Sequence, residues 1–222
     1  VIVDEAQDLS AMMLRAAGRR ASTGSVTLLG DLAQATTSWG VRDWTTALEH
    51  VGHPEAAVTE LVEGFRVPGA VIDYAARLLP HIAPGLTPPR SIRHSRGELT
   101  LIETPPLAAV AETVAALCER EGTLGVIVPS AWVTDVDRAL EGVDHGVLGA
   151  ARDPEAVPRV EVVDARLAKG LEFDHVLLLE PARLVADEPE RLIGLRRLYV
   201  CLTRAVTSLT VLHAEPLPAE LG

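Results

Sequence analysis

The chain has 222 residues, of which 48% are apolar and 23% are charged, and its formal net charge is −11 at pH 7. This acidic balance excludes a protein that grips nucleic acid over its whole surface, although a local basic groove is compatible with it. The sequence has no apolar run long enough for a membrane span and no visible secretory signal. Cys118 and Cys201 lie outside any metal-binding spacing, so neither a disulfide framework nor a zinc site is indicated, and we expect a cytoplasmic protein.

Short apolar runs that are typical of β-strands recur along the chain. They cover residues 1–3, 26–29, 99–102, 126–128, 160–163, 176–179 and 209–212. Continuous runs of this kind are typical of strands that are buried on both faces, as in parallel sheets. Because the first residue already lies inside such a run, we expect the chain to be part of a longer protein, with at least one strand and one helix ahead of it.

Helical patterns lie between these runs. Their apolar stripes are Leu9, Met12, Met13 and Ala16; Leu107, Val110, Ala111, Val114, Leu117 and Cys118; and Leu192, Leu195, Tyr199 and Leu202. Residues 80–98 are too rich in Pro and Gly to form a regular element, and they predict a long surface connection. Strands that alternate with helices predict an α/β fold, with a parallel sheet flanked by helices.

The first predicted strand ends in two adjacent carboxylates, Asp4 and Glu5. The carboxyl ends of parallel strands are where α/β folds place their ligands. One carboxylate can hold Mg²⁺, usually through water, and the other can orient or deprotonate a water that attacks a phosphoryl group. An equally open interpretation is a loop followed by an acidic helix cap, with Asp8 capping the helix that contains Leu9.

Four further polar segments stand out. They are "GDLAQ" with Gln34, followed by Trp39; "FR" with Arg66; "AKGLEFD" with Lys169, Gly170 and Glu172; and "LRRLYVCLTRA" with Arg196, Arg197 and Arg204. Taken singly, each has a structural alternative. These alternatives are a plain turn, a surface charge, a polar loop at a sheet edge, and a helix with a buried Tyr199 and a solvated basic face.

The order of these segments is more specific than any one of them. "VDEAQD", "GDLAQ" with Trp39, "FR", "AKGLEFD" and "LYVCLTRA" resemble, in order, motifs II to VI of superfamily 1 helicases of the UvrD/Rep type. The resemblance covers the chain from Val1 to about Ala205. It implies a RecA-like, P-loop NTPase fold in two parts. Residues 1–58 would be the C-terminal portion of a first RecA-like domain, and residues 59–222 a nearly complete second one.

The same resemblance implies that ATP binds between the two domains. Asp4 would help to bind Mg²⁺, Glu5 would activate the hydrolytic water, and Gln34 would contact the γ-phosphate. Arg66 and Arg204 would reach that phosphate from the second domain, where a guanidinium fork matches the charge that builds on the phosphoryl oxygens.

Three further residues are implied to bind nucleotide from the second domain, namely Lys169, Gly170 and Glu172, with Glu172 on the sugar. Trp39 matches the motif III tryptophan that stacks on a base of single-stranded DNA. A tryptophan in the protein core is the competing interpretation of Trp39.

The chain departs from the family pattern in several places. It contains no GxxxxGK[ST] loop, so the cradle for the β- and γ-phosphates must come from a preceding segment of the same protein. We therefore expect the chain alone to bind ATP poorly and not to hydrolyse it. Thr37 stands near the usual motif III tyrosine, Gly40 replaces a common arginine, and Arg166 replaces the usual motif V histidine.

The spacing of the motifs points to one branch of these proteins. Roughly a hundred residues separate Arg66 from Lys169, and the strands and helices predicted there are what one RecA-like domain needs, which leaves no room for the large inserted domain of processive helicases. With the acidic charge and the altered motif III, this layout resembles HelD-type proteins, which are helicase-like ATPases that act on bacterial RNA polymerase.

Four functions therefore stay open at the level of sequence. The first is an ATP-driven translocase on single-stranded DNA, and the second is a remodelling ATPase bound to RNA polymerase. The third is a two-metal nuclease built on carboxylates, namely Asp4, Glu5, Asp8 and Asp31. The fourth is a chain that in isolation only folds and binds.

Overall fold

The N-terminal elements form a small parallel sheet with two helices. The computed structural model describes residues 1–93, 98–151 and 158–222. Strand β1 (Ile2–Val3) pairs in parallel with β2 (Thr27–Leu28), and helices α1 (Ala11–Arg20) and α2 (Trp44–Val51) pack against each other. The helices approach so closely at Gly18 that a Cβ there would lie 2.1 Å from the carbonyl oxygen of Val51.

A second small parallel sheet follows. It consists of β3 (Glu63–Gly64) and β4 (Arg90–Ser91), with α3 (Gly69–Ala75) and α4 (Leu79–Ile82) between them. The prediction of an irregular surface connection over residues 80–98 is therefore wrong in part, because the end of α4 and all of β4 lie within it. Residues 94–97 of that segment lie outside the described residues.

The remaining elements form the main sheet and its helices. In chain order they are β5 (Glu98–Glu103), α5 (Pro106–Leu117), β6 (Leu124–Val128), α6 (Val133–Ala139), β7 (His145–Val147), β8 (Val160–Asp164), β9 (Phe173–Leu179), α7 (Pro181–Ala186), α8 (Arg191–Leu202) and β10 (Ala205–His213). The strand order across the six-stranded sheet is β5-β10-β9-β6-β8-β7. Every strand pair among the described residues is parallel, which confirms the predicted α/β class.

The central strands are buried on both faces. Alternate residues of β9 enter different apolar clusters: Val176 and Leu178 pack on one side of the sheet, and Leu177 and Leu179 pack on the other. This two-sided burial explains why residues 176–179 of β9 are a continuous apolar run rather than an alternating one. None of the helices in the described ranges, the longest of which have 12 residues, is long and apolar enough to cross a bilayer.

The predicted stripe on the first helix is wrong. Met12 and Met13 are 67% and 53% exposed, whereas Leu14 is fully buried in a cluster with Leu32 and Ala47. The reason is that the face of α1 packed against α2 carries Leu14 and Gly18, and not the two methionines. The stripe on α5 is confirmed in its main part, since Val110, Val114 and Leu117 are buried.

Candidate functional site

Two acidic turns meet at the carboxyl ends of β1 and β2. Asp4 and Glu5 directly follow β1, and Gly30 and Asp31 follow β2. Glu5 has a left-handed backbone (φ 52°), which is uncommon for a residue other than Gly, and its backbone N–H donates to Asp4 Oδ1 at 2.8 Å. This tight turn holds the two adjacent carboxylates at one edge of the small sheet.

Gln7 joins the two acidic turns. Its side chain is fully buried, its Nε2 donates to Glu5 Oε2 at 2.5 Å, and its Oε1 accepts from the backbone N–H of Asp31 at 3.1 Å. Sequence reasoning assigned Gln7 no role. The signal that could have found it is an amide placed between two carboxylates in one short turn, where an amide can both donate and accept.

Cationic side chains of the C-terminal part face these turns. Arg66 forms an ion pair with Glu172, which directly precedes β9, while Arg204 directly precedes the neighbouring strand β10. Arg204 is only 3% exposed, and its Nε and Nη1 donate to the carbonyl oxygens of Val200 (2.9 Å) and Leu171 (3.3 Å). Burial lowers the pKa of Arg204, and the charge of Arg66 adds to that effect.

Gln34 connects the two sides. Its Nε2 donates to Asp31 Oδ2 at 3.0 Å, and its Oε1 accepts from Arg204 Nη2 at 3.2 Å. The space between the two sides is a cleft of about 390 Å³, lined by Asp4, Glu5, Gly30, Asp31, Gln34, Arg66, Gly170 and Arg204. The structure therefore brings predicted residues from all five segments to one cleft.

Asp8 and Lys169 form a second contact between the two parts of the chain. One interpretation of the sequence expected Asp8 to cap α1. The structure has Ser10 as the N-cap instead, because α1 begins at Ala11. Instead Asp8 accepts from the backbone N–H of Thr36 at 3.2 Å and forms an ion pair with Lys169. Lys169 Nζ also lies 3.1 Å from Glu5 Oε2 and donates to the carbonyl oxygen of Gln34 at 2.9 Å.

These contacts set the charge state of Glu5. Partial burial raises the pKa of Glu5, but hydrogen bonds from Gln7 and Lys169 and the positive charges of Lys169 and Arg204 outweigh it, so that the pKa lies below its usual value. An ionised carboxylate at this position can accept a proton or orient a water.

Trp39 is not a core residue. Its side chain is 62% exposed, which rules out the core interpretation, and its indole N–H donates to the carbonyl oxygen of Asp8 at 3.2 Å. Gly40, which follows it, lies against Gln7, where a Cβ would come within 2.4 Å of the Gln7 carbonyl oxygen. An aromatic face is thus held exposed on the segment that also carries Gln34.

The structural alternative for α8 holds for its buried Tyr199 but not for its solvated basic face. Nine of the helix's 12 residues are buried, and Arg196 is one of them. Arg196 donates through Nε and Nη2 to the carbonyl oxygen of Ile82 (3.1 and 2.9 Å) and through Nη1 to that of Ala35 (3.3 Å). Sequence periodicity did not find this contact, because its partners lie more than a hundred positions away in the sequence.

Two further arginines share one carboxylate beside α7 and α8. Arg166 and Arg197 both donate to Glu188 Oε1, at 3.4 and 3.1 Å, and Arg166 also donates to the carbonyl oxygen of Asp187 at 2.9 Å. Arg166, which the sequence resemblance aligns with a motif V histidine, is therefore hydrogen-bonded to the α7–α8 connection.

The carboxylates of the cleft do not build a metal cage of their own. Within the described ranges, no group of three or more His, Cys, Asp or Glu side chains has the geometry to hold a metal ion. Mg²⁺ differs from most metals in that it keeps several waters and is bound by one or two carboxylates together with substrate phosphates. Asp4 and its neighbours fit that mode, but the geometry does not support a two-metal nuclease, since Asp8 is paired with Lys169.

Comparison with solved structures defines the fold. The C-terminal domain of a possible DNA helicase from Lactobacillus plantarum WCFS1 aligns over 72% of this chain and 92% of its own length, with 18% identity and a TM-score of 0.51. The helicase of PRRSV aligns over 96% of this chain, with 18% identity and a TM-score of 0.48, and this chain spans only 34% of its length. Arterivirus nonstructural protein 10, a helicase, aligns over 99% of this chain, with 19% identity and a TM-score of 0.49, and this chain spans only 39% of its length. No protein-family model and no curated protein matches the sequence. The first alignment, together with the six-stranded parallel sheet, shows a RecA-like α/β fold of the kind found in helicase C-terminal domains.

Proposed function

We propose that this chain is the C-terminal part of an ATP-dependent motor of the superfamily 1, UvrD-like helicase class. In this proposal residues 1–58 belong to the first RecA-like domain and residues 59–222 form the second, and ATP binds with Mg²⁺ in the cleft between them. The observation that carries the proposal is the cleft itself. It places Asp4 and Glu5 opposite Arg66 and Arg204, with Gln34 hydrogen-bonded to the second arginine.

Each side of the cleft has a part in phosphoryl transfer. On the acidic side, Glu5 would orient the attacking water and accept its proton, while Asp4 would hold Mg²⁺, which neutralises phosphate charge when bound. On the basic side, Arg66 and Arg204 would stabilise the charge that develops on the transferred group. Gln34, which contacts Asp31 and Arg204, would contact the terminal phosphate.

The phosphate-cradling loop is the one part of this machinery that the sequence does not contain. In the proposal a preceding segment of the same protein supplies it. The chain alone should therefore bind nucleotide weakly and hydrolyse none, and tests of turnover belong to the intact protein.

Single-stranded DNA is the partner we favour for the motor. Support comes from Trp39, whose exposed ring lies on the same short segment as Gln34, so that base stacking and nucleotide state can be coupled. The intact protein would act in the cytoplasm, on DNA that it translocates along or remodels.

The second candidate is an ATPase of the HelD type, which remodels RNA polymerase without unwinding a duplex. Two observations favour it. The exposed side chain of Arg166 is hydrogen-bonded within the chain, to Glu188 and to the carbonyl oxygen of Asp187. The described residues between Arg66 and Lys169 include β4 to β8, of which β5 to β8 are four of the six strands of the main sheet.

ATP hydrolysis by the intact protein separates the candidates. Turnover would be measured alone, with single-stranded DNA and with RNA polymerase, and Glu5→Gln would be measured alongside. Stimulation by DNA supports the translocase, and stimulation by polymerase alone supports the second candidate. If Glu5→Gln left ATP turnover unchanged, both candidate functions would be contradicted.

A further inference from the structure

The chain contains a single lysine. All other basic side chains that are charged at neutral pH, 19 in number, are arginines, and the one lysine is Lys169. The two residue types differ in shape, because arginine presents a planar fork of donors, whereas a lysine ammonium is a compact charge with three donors. A sequence that uses arginine elsewhere and lysine here suggests that this position needs the compact group.

The surroundings of the ammonium match that need. Lys169 Nζ contacts three acceptors, namely Asp8 Oδ2, Glu5 Oε2 (3.1 Å) and the carbonyl oxygen of Gln34 (2.9 Å). The side chain is only 16% exposed. Three donors and three acceptors leave no N–H of Lys169 for a phosphate, and it is the adjacent Gly170 that lines the cleft.

We propose that Lys169 is a positioning residue whose ammonium clamps the carboxylates of Glu5 and Asp8 and holds Glu5 at the cleft, and that it does not bind nucleotide. This proposal rests on the proposed function in one respect, the role of Glu5 in hydrolysis. It replaces the nucleotide contact that the family resemblance implied for Lys169.

The clamp restrains one oxygen of Glu5. Glu5 Oε2 accepts from Gln7 Nε2 at 2.5 Å and lies 3.1 Å from Lys169 Nζ, which leaves Oε1 as the oxygen for a water's proton. Because Lys169 belongs to the loop between β8 and β9, whereas Glu5, Asp8 and Gln34 surround the small N-terminal sheet, the clamp forms only when the two sides of the cleft are together. The catalytic carboxylate would then be held in place in the closed state alone.

Reactivity of the lysine amine tests the clamp without any nucleotide. The protein is acetylated with an N-hydroxysuccinimide ester, and modification of Lys169 is followed by peptide mass spectrometry. We expect Lys169 to react at least about tenfold more slowly in the native protein than in urea, because its ammonium is ion-paired and largely buried. Asp8→Asn should raise the native rate several-fold, whereas Glu98→Gln, at an exposed ion pair with Arg120, should not. A native rate equal to that in urea would overturn the clamp.

Nucleotide affinity and turnover then separate positioning from binding. In the intact protein, Lys169→Ala should leave the affinity for a fluorescent ATP analogue within about twofold and lower turnover by about 10²-fold, the cost of a misplaced catalytic group. Loss of affinity in step with turnover would make Lys169 a nucleotide ligand and refute the proposal.

A double variant excludes a merely structural role. If Lys169 acts through Glu5, then Lys169→Ala should cost no further turnover in a Glu5→Gln background, whereas independent effects would multiply.

Lys169→Arg keeps the charge without the compact shape and should restore turnover only in part. If the wild-type intact protein hydrolyses no ATP, the proposed function fails, and the acetylation rates alone still decide whether the clamp exists.

Discussion

Arg204 and Gln34 stand 170 positions apart in the sequence, yet Nη2 of the arginine donates to Oε1 of the glutamine at 3.2 Å. This hydrogen bond joins the loop that follows β2 to the residue that precedes β10. Because Gln34 also donates to Asp31, one amide connects the acidic and the basic sides of the cleft.

Replacing Glu5 by Gln tests the proposed base. The substitution keeps the size of the side chain and removes its negative charge, so that we expect ATP binding to remain while turnover falls by about 10²-fold or more, the usual contribution of a general base. Nucleotide affinity and turnover of the intact protein check this, with Glu98→Gln as the matched exposed control. Loss of binding together with turnover would mean that Glu5 is not simply the base.

We expect Trp39 to contribute to the binding of single-stranded DNA and to contribute little to the stability of the fold. Its ring is 62% exposed, so Trp39→Ala should leave the unfolding temperature nearly unchanged and weaken binding of single-stranded DNA by ~1–3 kcal/mol, the range measured for stacking on one base. Fluorescence anisotropy with a labelled oligonucleotide measures this effect. Met12→Ala, at an exposed apolar residue of α1, is the control, and an equal affinity for both variants would contradict the assignment.

Gly40 is expected to tolerate no side chain. A Cβ at this position would come within 2.4 Å of the carbonyl oxygen of Gln7, which is backbone and cannot move easily, so Gly40→Ala should lower the free energy of unfolding by ~1–3 kcal/mol. Urea denaturation measures the change. Gly64→Ala is the matched control, because a Cβ there meets no atom within 4 Å, and equal stability of the two variants would be inconsistent with the close approach.

The two cysteines should differ in reactivity. Complete burial raises the pKa of the Cys201 thiol to about 12, so this residue should resist iodoacetamide in the native protein at pH 8, since the thiolate is the reactive form. Cys118 is only half-buried and should be modified first. Peptide mass spectrometry after timed labelling checks the order, and rapid native labelling of Cys201 would show that α8 is not buried as described.

Parts of this fold could be predicted because their signal is local. The strands of the main sheet that are buried on both faces, such as β6 and β9, are continuous apolar runs, and they were found. Strands β3, β4 and β7 were missed because they have two or three residues each, of which at most one has an apolar side chain, so no hydrophobic pattern marks them. The stripe of Met12 and Met13 failed because packing on α2, and not spacing, decides which face of α1 is buried.

In the candidate site, too, some features could be predicted from the sequence and others could not. The positions of Asp4 and Glu5 follow from a rule about the ends of parallel strands, which a sequence can reveal. The partners of Lys169 and Arg196 cannot be read from a sequence, because both residues reach acceptors more than a hundred positions away. Long-range contacts of this kind are set by the docking of whole elements and leave no local pattern.

The shared nucleotide cleft is tested most directly by ATP turnover of the intact Arg204→Ala variant. An arginine that stabilises the transferred phosphoryl group contributes about 10³-fold or more, so we expect a loss of that size with nucleotide affinity largely kept. Arg204→Lys, which keeps a buried cation but not the guanidinium fork, checks that the loss is not one of folding, and Arg120→Ala at an exposed ion pair serves as the control. Turnover within about twofold of wild type in Arg204→Ala would contradict the account, because the buried guanidinium would then have no part in hydrolysis.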